Sequence, residues 1–408
     1  MAQEKEFYSK LCVAESFKFI VDETNEEDVN LSENNKFSCN LTTILARDKE
    51  VVAVNLKLLP NKCKVYIAKN GAWSKEDYEY VNKIKEILIN VSKDAPMTLE
   101  KTCGREDMEN LYITVMKYCC NKFIYRLDKL KKDVTGNEKN IYIKTFLDFA
   151  KSQIKGDIFK INLAISKVCC EYYRKTAKKD FTFPKKFLRH IKKVGSYYGS
   201  LMNITNCVRR EKYKTSFSCI DMHLLDPITV NQVISPWSDI VKPFIHDSKE
   251  YENFMKMCLE DLMIKFRLKR IYGNVDAQLN NEKSILIYLH PELNVLVNIL
   301  SQDKESKFIA VSKRSCYLCD SYIRFVQNKG HKITVSGSCK KLYHGWKLPD
   351  TFKKEFMSNT IFTLDNIIKR EIEHHTDIIA KSDSEAESVD NDVESCFEIT
   401  ERILAIEF

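Results

Sequence analysis

The feature that most constrains the fold of this 408-residue chain is an alternation of strand-like and helix-like apolar runs near its C-terminal end. The runs "SILIYL" (284–289), "KFIAVS" (307–312) and "HKITVSG" (331–337) have the length and composition of strands. Between them, "PELNVLVNIL" (291–300) and "CYLCDSYIRFVQNKG" (316–330) have apolar residues at helical spacing. This alternation predicts an α/β fold, a three-layer α/β/α unit with parallel central strands.

The chain before this unit is predicted to be mostly helical. Two β-rich runs on either side of the Pro60-Asn61 turn predict a hairpin. Helical spacing begins after Trp73, where Ser74 followed by Asp77 forms a plausible capped start. Residues 1–45 are polar and mixed, and their acidic run "DETNEEDVN" (22–30) predicts a loop.

Prolines and acidic residues predict the domain limits. Pro227, Pro236 and Pro243 mark a connector between residues 215 and 248, which predicts a boundary near residue 245. The run "SDSEAESVDNDVES" (382–395) is acidic and nearly free of apolar residues, as in a disordered tail. Four segments follow: 1–72, a mixed segment with the hairpin; 73–245, a helical region; 246–355, the α/β domain; and 356–408, a helix and the acidic tail.

Composition narrows the class of protein. With 44% hydrophobic residues the chain can bury a large core, and its formal charge of +8, from 65 basic and 57 acidic residues, does not by itself require nucleic acid. The sequence shows neither a secretory leader nor a long apolar span, so we expect a cytoplasmic or nuclear protein without a membrane partner. In that reducing setting the 15 cysteines are expected to be mostly buried thiols.

Titratable residues stand at two strand-to-helix junctions. His290 follows the first strand, and Cys316 and Cys319 follow the second. Because the carboxyl ends of neighbouring parallel strands lie side by side, these three side chains are expected to converge. An imidazole and two thiolates favour tetrahedral zinc, and three protein ligands leave a fourth position for water, as in catalytic zinc sites. Glu292 lies close to the expected metal and is free to move protons.

The local spacing fits two helix starts. Cysteines three positions apart share one face of a helix, and the first helical turn favours their thiolate form. Ser315 is predicted to be the N-cap of the second helix. Pro291 fits the first turn of the first helix, where its missing N–H is not needed.

The motifs "HPE" (290–292) and "CYLC" (316–319) resemble the zinc-dependent deaminase superfamily, which includes cytidine deaminases and nucleic-acid base deaminases. The run "SILIYLHPELNVLVNIL…SCYLCDSYIRF…GSCKKLYHGWKLP" looks like the deaminases expanded in fungi and related to toxin-like bacterial members, usually called OTT-type. The resemblance covers roughly residues 250–350 and makes the predicted segment 246–355 a zinc deaminase-like domain. The family's usual proline before the first cysteine is replaced here by Ser315.

The resemblance implies a role for each motif residue. His290, Cys316 and Cys319 would hold Zn²⁺, and Glu292 would be the general acid and base in hydrolytic removal of an amino group from a nucleobase. The substrate could be cytosine or adenine, in a free nucleotide, DNA or RNA. Four positions are possible parts of the substrate pocket: Ser315, Cys339, His344 and Trp346.

A structural zinc site is the rival interpretation. It would normally have a fourth Cys or His ligand, for which Cys339 and His331 are the nearby candidates. The protein would then be a non-catalytic adaptor whose helical region recruits a partner. Occupancy of the fourth position distinguishes the two.

The segment from Arg174 to Lys214 suggests a substrate class. It contains thirteen Lys or Arg residues, two acidic residues and interleaved aromatic residues such as Phe187 and Tyr197. Phosphate contacts and stacking aromatics are what single-stranded nucleic acid requires, whereas a solvated helical face with core aromatics is the alternative. The possible nucleic-acid contacts are Lys185, Lys186, Arg189, Lys192 and Lys193. The oligomeric state is not indicated.

Overall fold

The computed structural model describes residues 2–18, 20, 31–135, 137, 139–151, 158–177, 183–273, 279–302 and 306–382. The helices are α1 (Ala2–Phe17), α2 (Glu33–Leu45), α3 (Lys75–Lys93), α4 (Leu99–Cys103), α5 (Glu106–Tyr118), α6 (Cys120–Val134), α7 (Ile141–Lys151), α8 (Ile158–Tyr172), α9 (Lys185–Val208), α10 (Glu211–Phe217), α11 (Trp237–Val241), α12 (Ser248–Glu260), α13 (Leu262–Tyr272), α14 (Pro291–Ile299), α15 (Tyr317–Asn328) and α16 (Lys353–Ser382). The strands are β1 (Val52–Leu59), β2 (Lys62–Lys69), β3 (Ile220–Leu225), β4 (Thr229–Ile234), β5 (Lys283–Tyr288), β6 (Lys307–Val311) and β7 (Ile333–Val335).

The central sheet contains five strands in the order β3-β2-β1-β6-β7. The predicted hairpin is confirmed as β1 and β2, which pair antiparallel from Val52 opposite Lys69 to Leu59 opposite Lys62. β1 also pairs antiparallel with β6, while β2–β3 and β6–β7 are parallel. The fold is therefore α/β as predicted, but its sheet is mixed, and the expectation of a parallel centre is wrong because the hairpin occupies that position.

The sheet separates two apolar clusters. Ala53 and Ala68 belong to the cluster formed with α1 and the C-terminal helices, whereas Val52 and Val54 belong to the cluster formed with α2 to α10. This division follows from strand geometry, since successive side chains point to opposite faces. The result is a layer of helices on each side of the sheet.

β5 is not a strand of this sheet. It pairs antiparallel with β4 in a separate two-stranded sheet, from Thr229 opposite Tyr288 to Ile234 opposite Lys283. Ile285 and Ile287 are buried while Leu286 between them is exposed, so only one face of β5 packs on the core. The predicted pairing of β5 with its neighbour in sequence, β6, is wrong, because β1 takes the place beside β6.

The N-terminal segment contributes more than its polar composition indicated. Helix α1 is a core helix in which Phe7, Tyr8 and Leu11 are buried. The acidic run at 22–30, predicted as a loop, lies outside the described residues, as does most of the predicted acidic tail at 382–395. Strands from three of the four predicted segments share one sheet, and the four-segment division itself stays a prediction.

The predicted start of helical structure after Trp73 is confirmed. Helix α3 begins with a capping box in which Ser74 and Asp77 bond each other's backbone N–H groups, and the longer helix α9 spans Lys185–Val208. The predicted connector between residues 215 and 248 instead contains β3, β4 and α11. Pro227 and Pro236 lie in the connections that follow β3 and β4, so both strands keep their hydrogen bonds.

Candidate metal centre

The candidate ligands lie at two junctions between a strand and the following helix. β5 ends at Tyr288, and His290 is the N-cap of α14, whose first residue is Pro291, as predicted. Helix α14 packs against β1, β2 and β6, so it lies on one face of the central sheet. The chain then leaves β6 and enters α15 with Cys316 as N-cap. The position of α14 thus depends on the hairpin. It does not depend on the predicted pairing of β5 with β6.

The three candidate ligands form a compact cluster. Nδ1 of His290 lies 3.5 Å from Sγ of Cys316 and 3.4 Å from Sγ of Cys319. In a tetrahedral zinc site the corresponding N···S edge is about 3.6 Å, given typical Zn–N and Zn–S bond lengths. The two N···S distances are therefore compatible with a metal ion held by all three residues.

No fourth protein ligand joins this cluster within the described residues. The group that could hold a metal consists of His290, Cys316 and Cys319, whose donor atoms all lie within 4.8 Å of one another. Neither Cys339 nor His331 belongs to it. This composition matches a three-ligand site with an open coordination position.

Hydrogen bonds and ring contacts surround the cluster. Sγ of Cys316 accepts from the backbone N–H of Cys319 at 3.4 Å, so Cys316 is the N-cap and the prediction of Ser315 in that role is wrong. Nε1 of Trp346 donates to Sγ of Cys319 at 3.2 Å. The ring of Tyr288 stacks on His290 with centroids 5.0 Å apart. Each N–H bond to sulfur stabilises the thiolate that a metal would bind.

The electrostatics of the cluster favour charge separation. Burial alone would raise the pKa of Cys316, but the Cys319 hydrogen bond and the charge of His290 lower it to about 6. Burial would lower the pKa of His290, yet the Cys316 thiolate beside it raises this pKa. Burial and the neighbouring thiolate raise the pKa of Cys319. Two thiolates at this spacing thus require a cation between them, which is what a divalent metal would supply.

Glu292 occupies the first turn of α14, beside the cluster. His290, Glu292, Cys316 and Cys319 are 8%, 2%, 3% and 0% exposed. No cation of the described residues forms an ion pair with the Glu292 carboxylate in the first turn of this helix. A buried carboxylate that is not held by a salt bridge is suited to proton transfer.

The four residues predicted for the pocket have different surroundings. Ser315 is buried, and its backbone carbonyl accepts from the Cys339 N–H at 2.8 Å, so these two residues bridge adjacent loops. Trp346 is fully buried, and from inside the core its Nε1–H donates to Cys319, one of the candidate metal ligands. His344 is half-buried, and its Nδ1 lies 2.7 Å from a carboxylate oxygen of Glu15.

Sequence reasoning missed Glu15. This fully buried carboxylate of α1 also accepts hydrogen bonds from the His344 backbone N–H and from Arg270. It therefore ties the N-terminal helix to the loop after β7. The available signal was a single acidic residue within the apolar run "LCVAESF" (11–17), since a carboxylate at a core position requires polar partners.

The predicted nucleic-acid contacts lie on α9. Lys185, Lys186, Arg189, Lys192 and Lys193 are all exposed. Two aromatic residues of this helix, Phe187 and Tyr197, are not available for stacking on bases, because they are buried in the core. The cations are thus separated from these two rings, as in the alternative of a solvated helical face.

Fold and cluster together describe an α/β protein with a His/Cys/Cys group able to hold a metal ion. Residues 289–350 match the model of a family described as OTT_1508_deam-like deaminase. This match covers less than a sixth of the chain and includes all four motif residues. Searches of curated proteins and of solved structures gave no significant match. This segment is therefore similar to a deaminase family.

No helix in the described ranges is both long and apolar enough to cross a membrane.

Proposed function

We propose that the protein is a zinc-dependent hydrolytic deaminase that acts on a nucleobase, cytosine or adenine. The observation that carries this proposal is the three-ligand cluster, in which Nδ1 of His290 lies 3.5 and 3.4 Å from the two sulfurs, with the buried Glu292 beside it, inside the segment that is similar to a deaminase family. A site of this kind combines a metal ligand set with an independent proton carrier.

Each residue of the candidate site would have a separate role in this reaction. His290 Nδ1 and the two thiolates of Cys316 and Cys319 would hold the ion, and bound zinc would supply Lewis-acid activation of water. The Glu292 carboxylate would take a proton from the attacking water and return it to the departing amino group. The net reaction replaces the amino group on a ring carbon by oxygen and releases ammonia. Trp346 would keep Cys319 as a thiolate through its Nε1–H.

One observation favours a second candidate. The nearly complete burial of the four residues fits a structural zinc site in an adaptor protein, since an enzyme must admit its substrate. The two candidates differ in the fourth coordination position, and the described residues offer no protein ligand there. We therefore favour the enzyme.

Glu292→Gln tests the proposal. Zinc-loaded protein would be incubated with nucleosides, nucleotides, single-stranded DNA and single-stranded RNA, with mass spectrometry reporting replacement of an amino group by oxygen. We expect the wild-type chain to deaminate one of these substrates and Glu292→Gln to lose at least about 100-fold in rate while keeping its zinc, because the carboxylate moves protons and is not a ligand.

Glu260→Gln is the matched control, since Glu260 is exposed on α12. It should keep full activity. Deamination by the Glu292→Gln variant at the wild-type rate would contradict the assigned role, and a wild-type chain that binds zinc but converts no substrate would favour the adaptor.

A further inference from the structure

Cations from three distant parts of the chain lie together in the fold. They are Arg126 and Lys129 of α6, Arg189 and Lys193 of α9, and Lys313 of the loop between β6 and α15. We call these five residues the cationic surface. Four of them are exposed and Arg126 is half-buried. Only Arg189 and Lys193 belong to the set that the sequence predicted for nucleic acid.

Direct contacts hold the three parts in place. Nη1 of Arg126 donates to the backbone carbonyl of Lys193 at 3.2 Å and to Oγ of Ser196 at 3.1 Å, which fixes α6 against α9. On the other side, Lys122 of α6 donates to the carbonyl of Glu50 at 3.3 Å, and Lys313 donates to the carbonyl of Lys49 at 3.3 Å. The segment at residues 49–50 therefore contacts both α6 and the loop that carries Lys313.

The positive charge of this surface is not neutralised by the protein. Within the described residues, none of the five cations forms an ion pair with a carboxylate. Partial burial and the neighbouring cations Arg189 and Arg126 lower the pKa of Lys193. Partial burial and Arg126 likewise lower the pKa of Lys313, and Asp48 is the acidic group that opposes this. An uncompensated cluster of this kind attracts a polyanion.

An exposed aromatic side chain lies among these cations. Tyr125 is 57% exposed, and Nζ of Lys129 lies 4.3 Å from the centroid of its ring. Tyr125 also interacts electrostatically with Lys313. It thus offers, next to the cations, an exposed aromatic ring, whereas Phe187 and Tyr197 are buried.

The surface includes the loop that leads into the candidate metal centre. Lys313 precedes Cys316 by three residues, in the loop that enters α15. A polymer bound along α9 and α6 would therefore reach the loop that leads to Cys316 and Cys319 at the start of α15.

We propose that the cationic surface binds the phosphate backbone of a single-stranded polynucleotide, with Tyr125 stacking on a base, and so brings a neighbouring base to the candidate metal centre. The inference rests on the proposed function for its last step. Unpaired cations match successive phosphates, and a free aromatic ring matches a base, which is the combination by which proteins bind single strands. A purely anionic partner has no base that could stack on Tyr125.

The test measures binding apart from catalysis. The full-length Glu292→Gln protein would be titrated with a fluorescent single-stranded oligonucleotide of about 20 nucleotides, as DNA and as RNA, with anisotropy as the readout. The variant K129E/K193E/K313E should weaken binding at least about tenfold at low salt. It should also reduce the slope of log affinity against log salt by about 2, since each lost phosphate contact removes about 0.7.

Two matched controls accompany this variant. K83E/K117E/K249E reverses the same number of exposed lysines on α3, α5 and α12 and should change affinity by less than about threefold. Tyr125→Ala should weaken binding at least about fivefold while Tyr125→Phe retains it, because stacking needs the ring and not the hydroxyl. Equal losses in both triple variants, or equally tight binding of polyaspartate, would overturn the proposal.

The outcome separates this inference from the proposed function. If oligonucleotide binding depends on the cationic surface but the wild-type chain deaminates nothing, the surface stands and the proposed enzyme fails. If the chain deaminates a free nucleoside and binds no oligonucleotide, the enzyme stands and this inference is wrong.

Discussion

At the residue scale, the metal centre depends on two cysteines that differ from the other buried cysteines by their neighbours. Cys316 and Cys319 face the imidazole of His290, whereas Cys258 is a buried thiol packed among apolar side chains of the same cluster. Their residue type was available from the sequence, and so was the His-x-Glu…Cys-x-x-Cys spacing. Their mutual distances depend on the fold.

Removal of one ligand should release the metal. We expect the wild-type chain to carry about one zinc per molecule and Cys319→Ser to carry less than about 0.2, with a lower melting temperature because metal binding is coupled to folding. Cys258→Ser is the control, since it makes the same chemical change in the same apolar core but at a cysteine that is not a candidate metal ligand. Elemental analysis of both purified proteins is the measurement, and equal zinc content in the two would contradict the assignment.

The Trp346 indole should adjust zinc affinity without holding the ion. Trp346→Phe keeps an aromatic ring in the core but removes the Nε1–H that donates to Cys319, so we expect zinc affinity to fall about tenfold. Trp237→Phe is the matched control, because Trp237 is also fully buried and its Nε1 donates to Ser16 at 3.1 Å. Competition with a coloured chelator measures both. A similar fall in the two variants would assign the effect to packing.

At the scale of elements, helix ends were better predicted than strand partners. The Ser74 and Asp77 capping box follows from local sequence, because the residues that bond each other are three apart. The partner of β6 is β1, which precedes it by more than 200 residues, and local pattern contains no information on that pairing. Helices α5 and α6 are separated at Cys119, and α12 and α13 at Asp261, whose side chain caps α13.

The α3 cap also contains a buried ion pair that should make stability depend on pH. Burial would raise the pKa of Asp77, but hydrogen bonds from Lys69 at 2.7 Å, the Ser74 backbone and Tyr118 lower it to about 2. A carboxyl whose folded pKa lies below its unfolded value of about 3.8 stabilises the fold above that pH, and this contribution is lost as pH falls toward 2.

Asp77→Asn should therefore lower the free energy of unfolding by about 2 kcal/mol at pH 7, and the difference from wild type should shrink near pH 2.5. Urea unfolding at the two pH values is the measurement. Glu76→Gln is the control, since the neighbouring Glu76 is exposed and pairs only at the surface with Arg47, so its change should stay below about 0.5 kcal/mol. A difference for Asp77→Asn that is constant with pH would contradict the argument.

At the scale of the whole molecule, the candidate metal centre belongs to a sheet assembled from distant segments. β6 is bonded to β1, and α14 packs on β1 and β2, so the hairpin at 52–69 supports the helix that carries His290 and Glu292. Helix α1 adds Glu15 beneath the loop after β7. The matched family segment therefore depends on chain that precedes it by more than 200 residues.

A fragment of residues 246–355, the predicted α/β domain, should accordingly not fold alone. It lacks the hairpin and α1, which leaves β6 with an unpaired edge and exposes the buried face of α14. We expect the fragment to show no cooperative thermal transition and no retention of zinc after dialysis, in contrast to the full chain. A fragment that unfolds cooperatively and keeps about one zinc would establish an independent domain.

The sequence by itself determined the starts of α3 and α14, the hairpin and the residue types of the candidate site, because each depends on residue type and on spacings of a few positions. His290, Glu292, Cys316 and Cys319 could be selected on those grounds. Tertiary structure alone decided that the hairpin lies between the two halves of the sheet and that Glu15 reaches His344. It also decided that Lys313 lies near the cations of α6 and α9. These contacts join residues far apart in the chain, and the packing that selects them is a property of the whole fold, which local patterns do not encode.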